Sequence, residues 1–402
     1  MAPKIAHVIT TFLDSNTSAW ISALADHQQG CGWQVKLIVG RNSSPDLLAQ
    51  KRRQGFRVTR IHSLRKYVHP FHDAAAFWEL YRFFRRRRFD LVHTHLAKAG
   101  VLGRLAAKAA GLKNIVHSVY GASFAPTQPA IKYALYKNLE KLAGQATDRF
   151  AFVGRELHAA YQRAGVCNGR GSVVYYGKEL APFFKAAALS DQERLARRQA
   201  AGFAPDDLIL GNVSRLVPWK GHHLALQVVH VLRQQFPHLK LIIVGDARTP
   251  AEQDYKEKLL KTAFSLGLQK HVVFTGWQRE TAAYYALFDL YLLTSMPFEG
   301  VPGSVIEAVA AGVPVVGFDC YGLREIPGIC ARLVPPGRLD ELISVTRQEL
   351  LGRRGARDRR LLSALQLRQM EERFSLSRMV GRTFELYQPL LKNCASPNLK
   401  AR

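Results

Sequence analysis

Two glutamates, Glu299 and Glu307, stand eight positions apart in SMPFEGVPGSVIEAVAAGVPVVGF, residues 295–318. Glycine and proline beside the first predict a loop, and the apolar run around the second predicts a helix. Backbone N–H groups at a helix start favour nucleotide phosphates, and a carboxylate one turn later can accept hydrogen bonds from a ribose diol. The segment therefore suits two hydroxylated rings joined by a diphosphate. Alternatively, Glu307 only caps the helix as the partner of Ser304.

A pair of cations forms a second candidate site. In LILGNVSRLVPWKGHH, Arg215 and Lys220 follow a predicted strand, and a helix is predicted from about Gly221. A guanidinium and an ammonium beside a helix start can clamp a diphosphate. The alternative is a solvated loop with two surface cations. Gly245, which closes the predicted strand LKLIIVG, fits a nucleotide site but is weakly specific alone.

The elements that must position these residues alternate along the chain. Runs such as KIAHVIT, QVKLIVG, DLVHTH, LILGNVS and LKLIIVG predict strands, and longer segments between them predict helices. This alternation predicts parallel sheets of βαβ units. The pattern restarts after the charged stretch 185–200, which we interpret as a linker. We therefore expect an α/β protein with two Rossmann-like domains, 1–185 and 200–375, and ligands at the carboxyl ends of the strands.

Composition and charge limit the function further. The 402 residues suit two domains, and five scattered cysteines favour reduced thiols in the cytosol over disulfides or a zinc site. The start MAPKIAHVIT predicts a strand and no signal peptide, and no long apolar run predicts a membrane span. The net charge is +26, and residues 51–100 hold 13 basic against 3 acidic residues. Residues 201–350 hold 14 against 15, so the cationic first half should meet an anionic partner.

Several motifs together resemble glycosyltransferase family 4, the retaining group-1 enzymes of GT-B fold. FEGVPGSVIEAVAAGVPVVGFDCYGLREI and SRLVPWKG resemble its donor segments, and DLVHTHLAKAGVLGRLAA, VHSVYGASF and VVYYGKEL resemble its N-terminal landmarks in order. The resemblance implies two doubly wound domains facing across a cleft, with acceptor on the first and nucleotide-sugar on the second. It also implies that a C-terminal helix, 376–392, packs back on the first domain.

The resemblance also implies residue roles. Glu299 would contact the donor sugar, Glu307 the ribose, and Arg215 and Lys220 the leaving diphosphate. The remaining donor positions are Gly300, Val301, Pro302, Gly303, Ser304, Gly245 and Gln278. The acceptor-side positions are Asn16, His95, Tyr120 and Gly121. Tyr120-Gly121 stands where the family often has His-Gly, and TTFLDSNTSAW lacks the family's glycine pair, so acceptor specificity is open. Of His93, His95 and His117, we expect His95 to face the cleft.

We expect no catalytic metal and no cofactor beyond a nucleotide-sugar co-substrate, because no Asp-x-Asp motif ends a strand. The expected reaction moves a sugar, with retention, from a UDP-sugar to a lipid-linked or envelope saccharide, as in lipopolysaccharide or exopolysaccharide synthesis. Two alternatives remain open: a GT-B sugar-nucleotide epimerase, and a basic nucleic-acid-binding protein without activity. The donor, the acceptor and the oligomeric state cannot be predicted.

A basic, aromatic helix predicts contact with a membrane. In AFWELYRFFRRRRFD, Phe77, Leu80, Tyr81 and Phe84 share the spacing of a buried face. The neighbouring face carries Trp78, Arg82, Arg85, Arg86, Arg87 and Arg88. Aromatic and basic side chains together suit anionic headgroups, so we expect a cytoplasmic protein on the inner face of the plasma membrane. The alternative is a solvated basic helix end.

Overall fold

The protein is described by a computed structural model, which defines residues 2–125, 128–296, 300–320, 322–352 and 361–391. The chain divides into two compact units: Met1–Lys178 with Arg373–Arg402, and Glu179–Glu372. The first change of unit falls before the predicted boundary at residue 185.

Parallel strands form the sheet of the first unit, in the order β3-β2-β1-β4-β5-β6-β7. They are β1 (Lys4–Ile9), β2 (Gln34–Gly40), β3 (Arg57–Ile61), β4 (Leu91–His95), β5 (Ile115–Val119), β6 (Arg149–Phe152) and β7 (Gly171–Val173). Every residue of β4 and β5 is buried. Parallel sheets are covered on both faces, which explains why neither of these strands has an exposed face.

The helices of this unit cross between successive strands. They are α1 (Asn16–Gly30), α2 (Pro45–Arg53), α3 (Pro70–Arg86), α4 (Ala97–Ala109), α5 (Ala130–Gln145) and α6 (Arg155–Arg163). In α3, Leu80 and Phe84 are buried in a core that also contains Val8 of β1. Phe77 and Tyr81 are partly buried against that core, as their spacing predicts.

The second unit repeats this plan, with strand order β10-β9-β8-β11-β12-β13. Its strands are β8 (Leu208–Val213), β9 (Leu239–Val244), β10 (Val272–Phe274), β11 (Leu290–Leu293), β12 (Val315–Phe318) and β13 (Ala331–Val334). Its helices are α7 (Ala181–Ala187), α8 (Asp191–Ala200), α9 (His222–Leu232), α10 (Pro250–Ser265), α11 (Ala282–Tyr285), α12 (Gly303–Ala310) and α13 (Leu339–Leu351). The order is that of a Rossmann-type sheet, in which successive strands are added first on one side of the first strand and then on its other side.

The predicted linker at 185–200 is helical instead. It contains the end of α7 and all of α8, which begins with a capping box between Ser190 and Glu193. Arg198 of α8 is buried and lies 2.6 Å from Asp289, just before β11. The charged residues of this stretch therefore cap a helix and form a buried ion pair, which composition alone could not distinguish from a solvated linker.

The chain returns to the first unit at Arg373, within the last turn of α14 (Ala364–Phe374). Helix α15 (Leu376–Tyr387) packs against α1. Its Phe384 and Tyr387 rings lie 5.1 and 5.9 Å from the ring of Trp33. The helix ends five residues before the predicted end at residue 392, which itself lies outside the described residues.

Candidate functional site

The predicted donor residues follow four adjacent strands of the second sheet. Gln278 follows β10, Gly245 follows β9, Arg215 and Lys220 follow β8, and Gly300 follows β11. These strands are neighbours in the order β10-β9-β8-β11. Carboxyl ends of parallel strands lie at one edge of a sheet, where open α/β proteins bind ligands. The structure therefore places these residues along a single edge.

Arg215 is held by two neighbours. Its Nη1 lies 3.6 Å from Oε1 of Glu252, and its guanidinium carbon lies 5.6 Å from the centre of the Trp219 ring. Glu252 is buried on α10 and accepts a hydrogen bond from the backbone N–H of Arg248 at 2.9 Å. The Arg215 side chain keeps 30% of its surface exposed. It is therefore directed by its partners and still reachable by a ligand, unlike a freely solvated cation.

Lys220 ends a 3-10 turn, Pro218–Lys220, which is tied to the segment after β11. Thr294 Oγ1 donates to the Lys220 carbonyl at 2.8 Å, and Met296 N–H donates to the Trp219 carbonyl at 2.8 Å. Gly221 follows with φ of 69°, and a Cβ there would lie 2.1 Å from the Thr294 carbonyl oxygen. A glycine is required for this approach, which fixes the backbone that carries Lys220.

Sequence reasoning missed a buried histidine beneath this turn. His222 Nε2 lies 2.8 Å from Ser214 Oγ, and Ser214 Oγ donates to Asn212 Oδ1 at 2.9 Å. His222 Nε2 must then be the donor to Ser214. Burial, followed by the charge of Lys220, lowers the pKa of His222 to about 3. This neutral chain supports the loop after β8, and no local sequence signal marks it because its members meet only in the fold.

Glu307 is buried on α12, where Tyr285 holds it. The Tyr285 hydroxyl lies 3.0 Å from Glu307 Oε2 and 2.8 Å from the Ser304 carbonyl oxygen. Burial and then the charge of Glu307 raise the pKa of Tyr285 well above its usual value, so the hydroxyl stays protonated and can donate. Sequence reasoning missed this tyrosine, which lies 22 positions upstream.

The capping alternative for Glu307 does not hold. Pro302 is the N-cap of α12, and Ser304 lies inside the first turn. Among the described residues, no side chain caps this helix start. Gly300, Val301 and Pro302 are buried, whereas Gly303 and Ser304 are half-buried. Glu299 lies outside the described residues.

Close backbone contacts join the loops after β8, β9 and β10. Gly245 has φ of 147°, and a Cβ there would lie 1.9 Å from the Ser214 carbonyl oxygen. Its N–H donates to the Gly276 carbonyl at 3.0 Å. Gln278 Nε2 donates to the Thr275 carbonyl at 2.9 Å. These contacts hold the three loops in a fixed arrangement at the sheet edge.

On the first unit, His95 and Tyr120 contact each other. His95 is 1% exposed, with Nδ1 2.9 Å from the Tyr120 hydroxyl and Nε2 3.0 Å from His7 Nδ1. The Tyr120 ring stacks near Trp20 and Tyr176, at centroid distances of 5.8 and 6.1 Å. Burial raises the pKa of Tyr120. The structure differs from the expectation for His95, because both its ring nitrogens already have partners and the Tyr120 hydroxyl is directed at it.

His7 of β1 and His93 of β4 belong to the same buried network. His7 Nε2 lies 2.8 Å from Gln28 Oε1, and His93 lies 2.6 Å from the Tyr387 hydroxyl and 2.8 Å from Ser118 Oγ. Burial, with smaller repulsion from neighbouring charges, lowers the pKa of His93 and His95 well below the usual value. Desolvation of this kind keeps imidazoles neutral at physiological pH.

Within the described residues, His7, His93 and His95 form the cluster whose nitrogens could converge on a metal ion, all within 4.8 Å of one another. Each ring nitrogen already has a hydrogen-bond partner in that network. Ligation would have to break at least the bond between His7 and His95, so the cluster fits a structural network better than a ligand set. The absence of a catalytic metal stays a prediction.

The remaining acceptor-side positions lie nearby along the same edge. Asn16 is the first residue of α1, and its Oδ1 accepts a hydrogen bond from Lys178 Nζ at 3.3 Å. Gly121 follows Tyr120 and is half-buried. The structure thus places Asn16, Tyr120 and Gly121 after β1 and β5 of the first sheet.

The predicted membrane surface lies on α3 and the residues after it. Trp78 is 59% exposed, and Arg82, Arg85, Arg86, Arg87 and Arg88 are all exposed. None of the helices in the described part of the chain is both long and apolar enough to cross a bilayer.

Comparisons with known proteins agree with this architecture. The family profile for group 1 glycosyl transferases matches residues 193–347, and that for the glycosyl transferase 4-like domain matches residues 18–177. The chain is 26% identical over 269 residues to UDP-Gal:alpha-D-GlcNAc-diphosphoundecaprenol alpha-1,3-galactosyltransferase of Escherichia coli. That alignment covers 65% of this chain and 67% of the relative, so the match spans about two thirds of each.

Two solved structures share the whole fold. Anabaena Alr3699/HepE, solved with UDP, superposes with a TM-score of 0.71 at 20% identity, covering 96% of this chain and all of that one. Sucrose-phosphate synthase from Thermosynechococcus elongatus superposes with a TM-score of 0.75 at 18% identity, covering 98% and 100%. The two family profiles lie one in each unit and together match most of the chain. The chain therefore belongs to the group-1 glycosyltransferases of family 4 and has the GT-B fold.

Proposed function

We propose that this glycosyltransferase moves a hexose, with retention, from a UDP-sugar to a lipid-linked or cell-envelope saccharide. The observation that carries the proposal is that Arg215 and Lys220 follow β8, while α12, which carries Glu307, follows the neighbouring strand β11. A bound UDP in a relative of the same fold, and the E. coli relative's UDP-galactose donor and diphosphoundecaprenol-linked acceptor, support it. The family match favours transfer over epimerisation and nucleic-acid binding.

The main chemical requirement of the reaction is to stabilise the negative charge that develops on the leaving diphosphate. As the glycosidic bond breaks, negative charge grows on the departing oxygen, and a fixed cation stabilises it without reorganisation. Arg215, directed by Glu252 and Trp219, supplies a guanidinium, and Lys220 supplies a point charge from an anchored turn. Glu307 would accept hydrogen bonds from the ribose hydroxyls, and the N–H groups of Gly300, Val301, Gly303 and Ser304 would line the diphosphate and sugar.

Retention would follow from attack on the same face that the diphosphate leaves. The departing phosphate oxygen can then take the proton of the acceptor hydroxyl, so no separate base is needed. Glu299, beside the reacting carbon by family resemblance, would bind the donor sugar. Cations of the chain itself would serve the leaving group, so we propose that no metal is used. The pair of carboxylates that glycoside hydrolases use is not required.

The acceptor would bind the first unit while that unit rests on the inner face of the plasma membrane. The exposed Trp78 and the arginines of α3 support this placement. Aromatic side chains enter the headgroup region, and arginines attract anionic lipids.

The test is transfer from UDP-hexoses to a diphosphate-linked saccharide, followed by NMR of the product in excess EDTA. We expect the donor's anomeric configuration to be preserved and the rate to be unchanged by EDTA. An inverted product, or a rate that EDTA abolishes and a divalent ion restores, would contradict the proposal.

The same assay tests the cation clamp. Lys220→Ala should lower kcat by about 100-fold or more, the scale of losing one preorganised charge at a developing anion. Lys240→Ala is a matched control, because Lys240 lies within β9, away from the sheet edge that carries the site. Near-normal turnover of Lys220→Ala with an intact fold would remove Lys220 from the site.

A further inference from the structure

A cluster of cations lies at the carboxyl edge of the first sheet, in a place that the donor site does not use. We name it the cationic corner and define it by the cations Arg41, Arg65 and Lys98 together with the adjacent imidazoles of His69 and His72. Arg41 follows β2, Arg65 follows β3, and Lys98 lies in the first turn of α4 after β4. In the sheet these strands lie within the order β3-β2-β1-β4.

Backbone contacts hold the loops of the corner together. The Arg41 N–H donates to the Leu64 carbonyl at 2.8 Å, which sets the loops after β2 and β3 side by side. The Ala99 N–H donates to Thr10 Oγ1 at 3.0 Å, which ties the start of α4 to the loop after β1. The cations are therefore mounted on rigid strand ends.

The Asp73 carboxylate joins Lys98 to the backbone of His69, whose ring contacts that of His72. Lys98 Nζ lies 2.5 Å from Asp73 Oδ1 and also donates to the Tyr67 carbonyl. Asp73 Oδ2 accepts from the His69 N–H at 3.2 Å, and the rings of His69 and His72 are 4.5 Å apart. Desolvation and then the charges of Arg65 and His69 lower the pKa of His72, so Arg65 acts on the same group.

The corner has features that an anion would satisfy. Nε of Arg65 is buried and has no hydrogen-bond partner within the described chain. The positive end of the α4 dipole lies in the same turn as Lys98, although Thr10 Oγ1 already accepts the Ala99 N–H there.

Apolar side chains beside the corner are exposed to an unusual degree. Tyr67, Val68 and Phe71 are 68%, 65% and 83% exposed, and they share one loop and helix start with His69. A ligand that contacts both the cations of the corner and these exposed apolar side chains has an anionic head and an apolar tail. The arginines at the end of α3 are a separate surface, because the helix rise of about 1.5 Å per residue puts Arg85 some 20 Å from Phe71.

We propose that the cationic corner binds the diphosphate of an isoprenoid-diphosphate-linked acceptor, with Tyr67, Val68 and Phe71 against the first isoprene units. This inference rests on the proposed function, since it names the acceptor's anchoring group. Arg65 and Lys98 are assigned to the phosphates, because a guanidinium and an ammonium on separate strand ends can grip two phosphoryl groups.

The probe is geranyl diphosphate, titrated by calorimetry without vesicles. Excess UDP occupies the donor site, and a parallel titration in the Lys220→Ala background removes that site's cation. We expect binding, and about 10-fold or more weaker binding in Arg65→Gln and Lys98→Gln, the scale of a lost charge-assisted contact. Lys108→Gln is the matched control, because Lys108 is exposed at the other end of α4.

Three outcomes overturn the inference: no binding of geranyl diphosphate, equal affinities in all variants, or geraniol binding as tightly as the diphosphate. A fourth would reassign the corner to lipid headgroups. In that case Arg65→Gln and Lys98→Gln would no longer bind phosphatidylglycerol vesicles but would bind geranyl diphosphate as the wild type does. If UDP failed to bind in the same experiment, that outcome would count against the proposed function. The geranyl diphosphate titration could still be interpreted, because it measures a different site.

Discussion

At the scale of single residues, the donor edge depends on side chains that orient other side chains. Tyr285 holds Glu307, Glu252 holds Arg215, and His222 supports the loop that carries both cations. A long, flexible side chain binds a ligand more tightly when its rotamer is already fixed, because less freedom is lost on binding. Residues that need not touch the ligand therefore fix the orientation of the residues that would bind it.

Tyr285→Phe tests this dependence. Removing the hydroxyl deletes its hydrogen bond to Glu307, and such a bond contributes about 1.5–3 kcal/mol when an ionised group is involved. We expect UDP to bind about 5- to 50-fold more weakly, with kcat at saturating donor much less affected. The measurement is the Kd of UDP together with KM and kcat.

Tyr291→Phe is the control for this change. Tyr291 is buried and stacks on Tyr285 at 5.9 Å, and its hydroxyl lies 3.3 Å from the Val213 carbonyl oxygen. It should lower stability slightly without a comparable change in UDP affinity. If Tyr285→Phe bound UDP as wild type does, Glu307 would not depend on Tyr285.

At the scale of elements, the alternation of strands and helices was enough to predict both parallel sheets and to place the motifs at strand ends. Sequence spacing did not reveal which side chains pair: Tyr285 with Glu307, Ser214 with His222, and His93 with Tyr387, which are 22, 8 and 294 positions apart. Such pairs depend on the strand order, which periodicity leaves open. The stretch 185–200 was misread because a capped, charged helix and a charged linker have the same composition.

The turn before α9 offers an element-scale prediction. Gly221→Ala would place a Cβ against the Thr294 carbonyl oxygen in a left-handed conformation. The conformation alone costs about 1–2 kcal/mol. The clash adds to it, so we expect about 2–4 kcal/mol less stability and weaker UDP binding, because Lys220 moves with the turn. Urea unfolding and UDP titration measure the two effects.

Gly202→Ala is a control that separates the cost of the left-handed conformation from the cost of the steric clash in Gly221→Ala. Gly202 has φ of 84° with no atom within 4 Å of its would-be Cβ, so this change carries only the conformational cost. Similar losses for both variants would mean that the approach of Thr294 to Gly221 is unimportant. A larger loss for Gly221→Ala, accompanied by weaker UDP binding, would confirm that the turn positions the site.

At the scale of the whole molecule, charge is distributed unevenly along the chain. Residues 51–100 hold 13 basic against 3 acidic residues, a net +10 of the chain's +26, whereas residues 201–350 are nearly neutral. Solubility alone does not require such asymmetry, since net charge of either sign anywhere on the surface would serve. An acceptor embedded in an anionic membrane would explain why the excess lies in the unit proposed to bind it.

Vesicle binding tests this explanation directly. Changing Arg85, Arg86, Arg87 and Arg88 together to Gln removes four exposed charges beside Trp78. Each basic residue near an anionic surface contributes about 1 kcal/mol, so we expect at least 10-fold weaker co-sedimentation with phosphatidylglycerol vesicles.

The matched control changes Lys258, Lys261, Lys270 and Arg347, all exposed in the second unit, to Gln and should bind as wild type does. Raising the salt to 1 M shortens the screening length to about 3 Å and should release the wild type. Equal losses in both quadruple variants would show that net charge, and not the end of α3, drives attachment, and equal binding to neutral vesicles would exclude an electrostatic contact altogether.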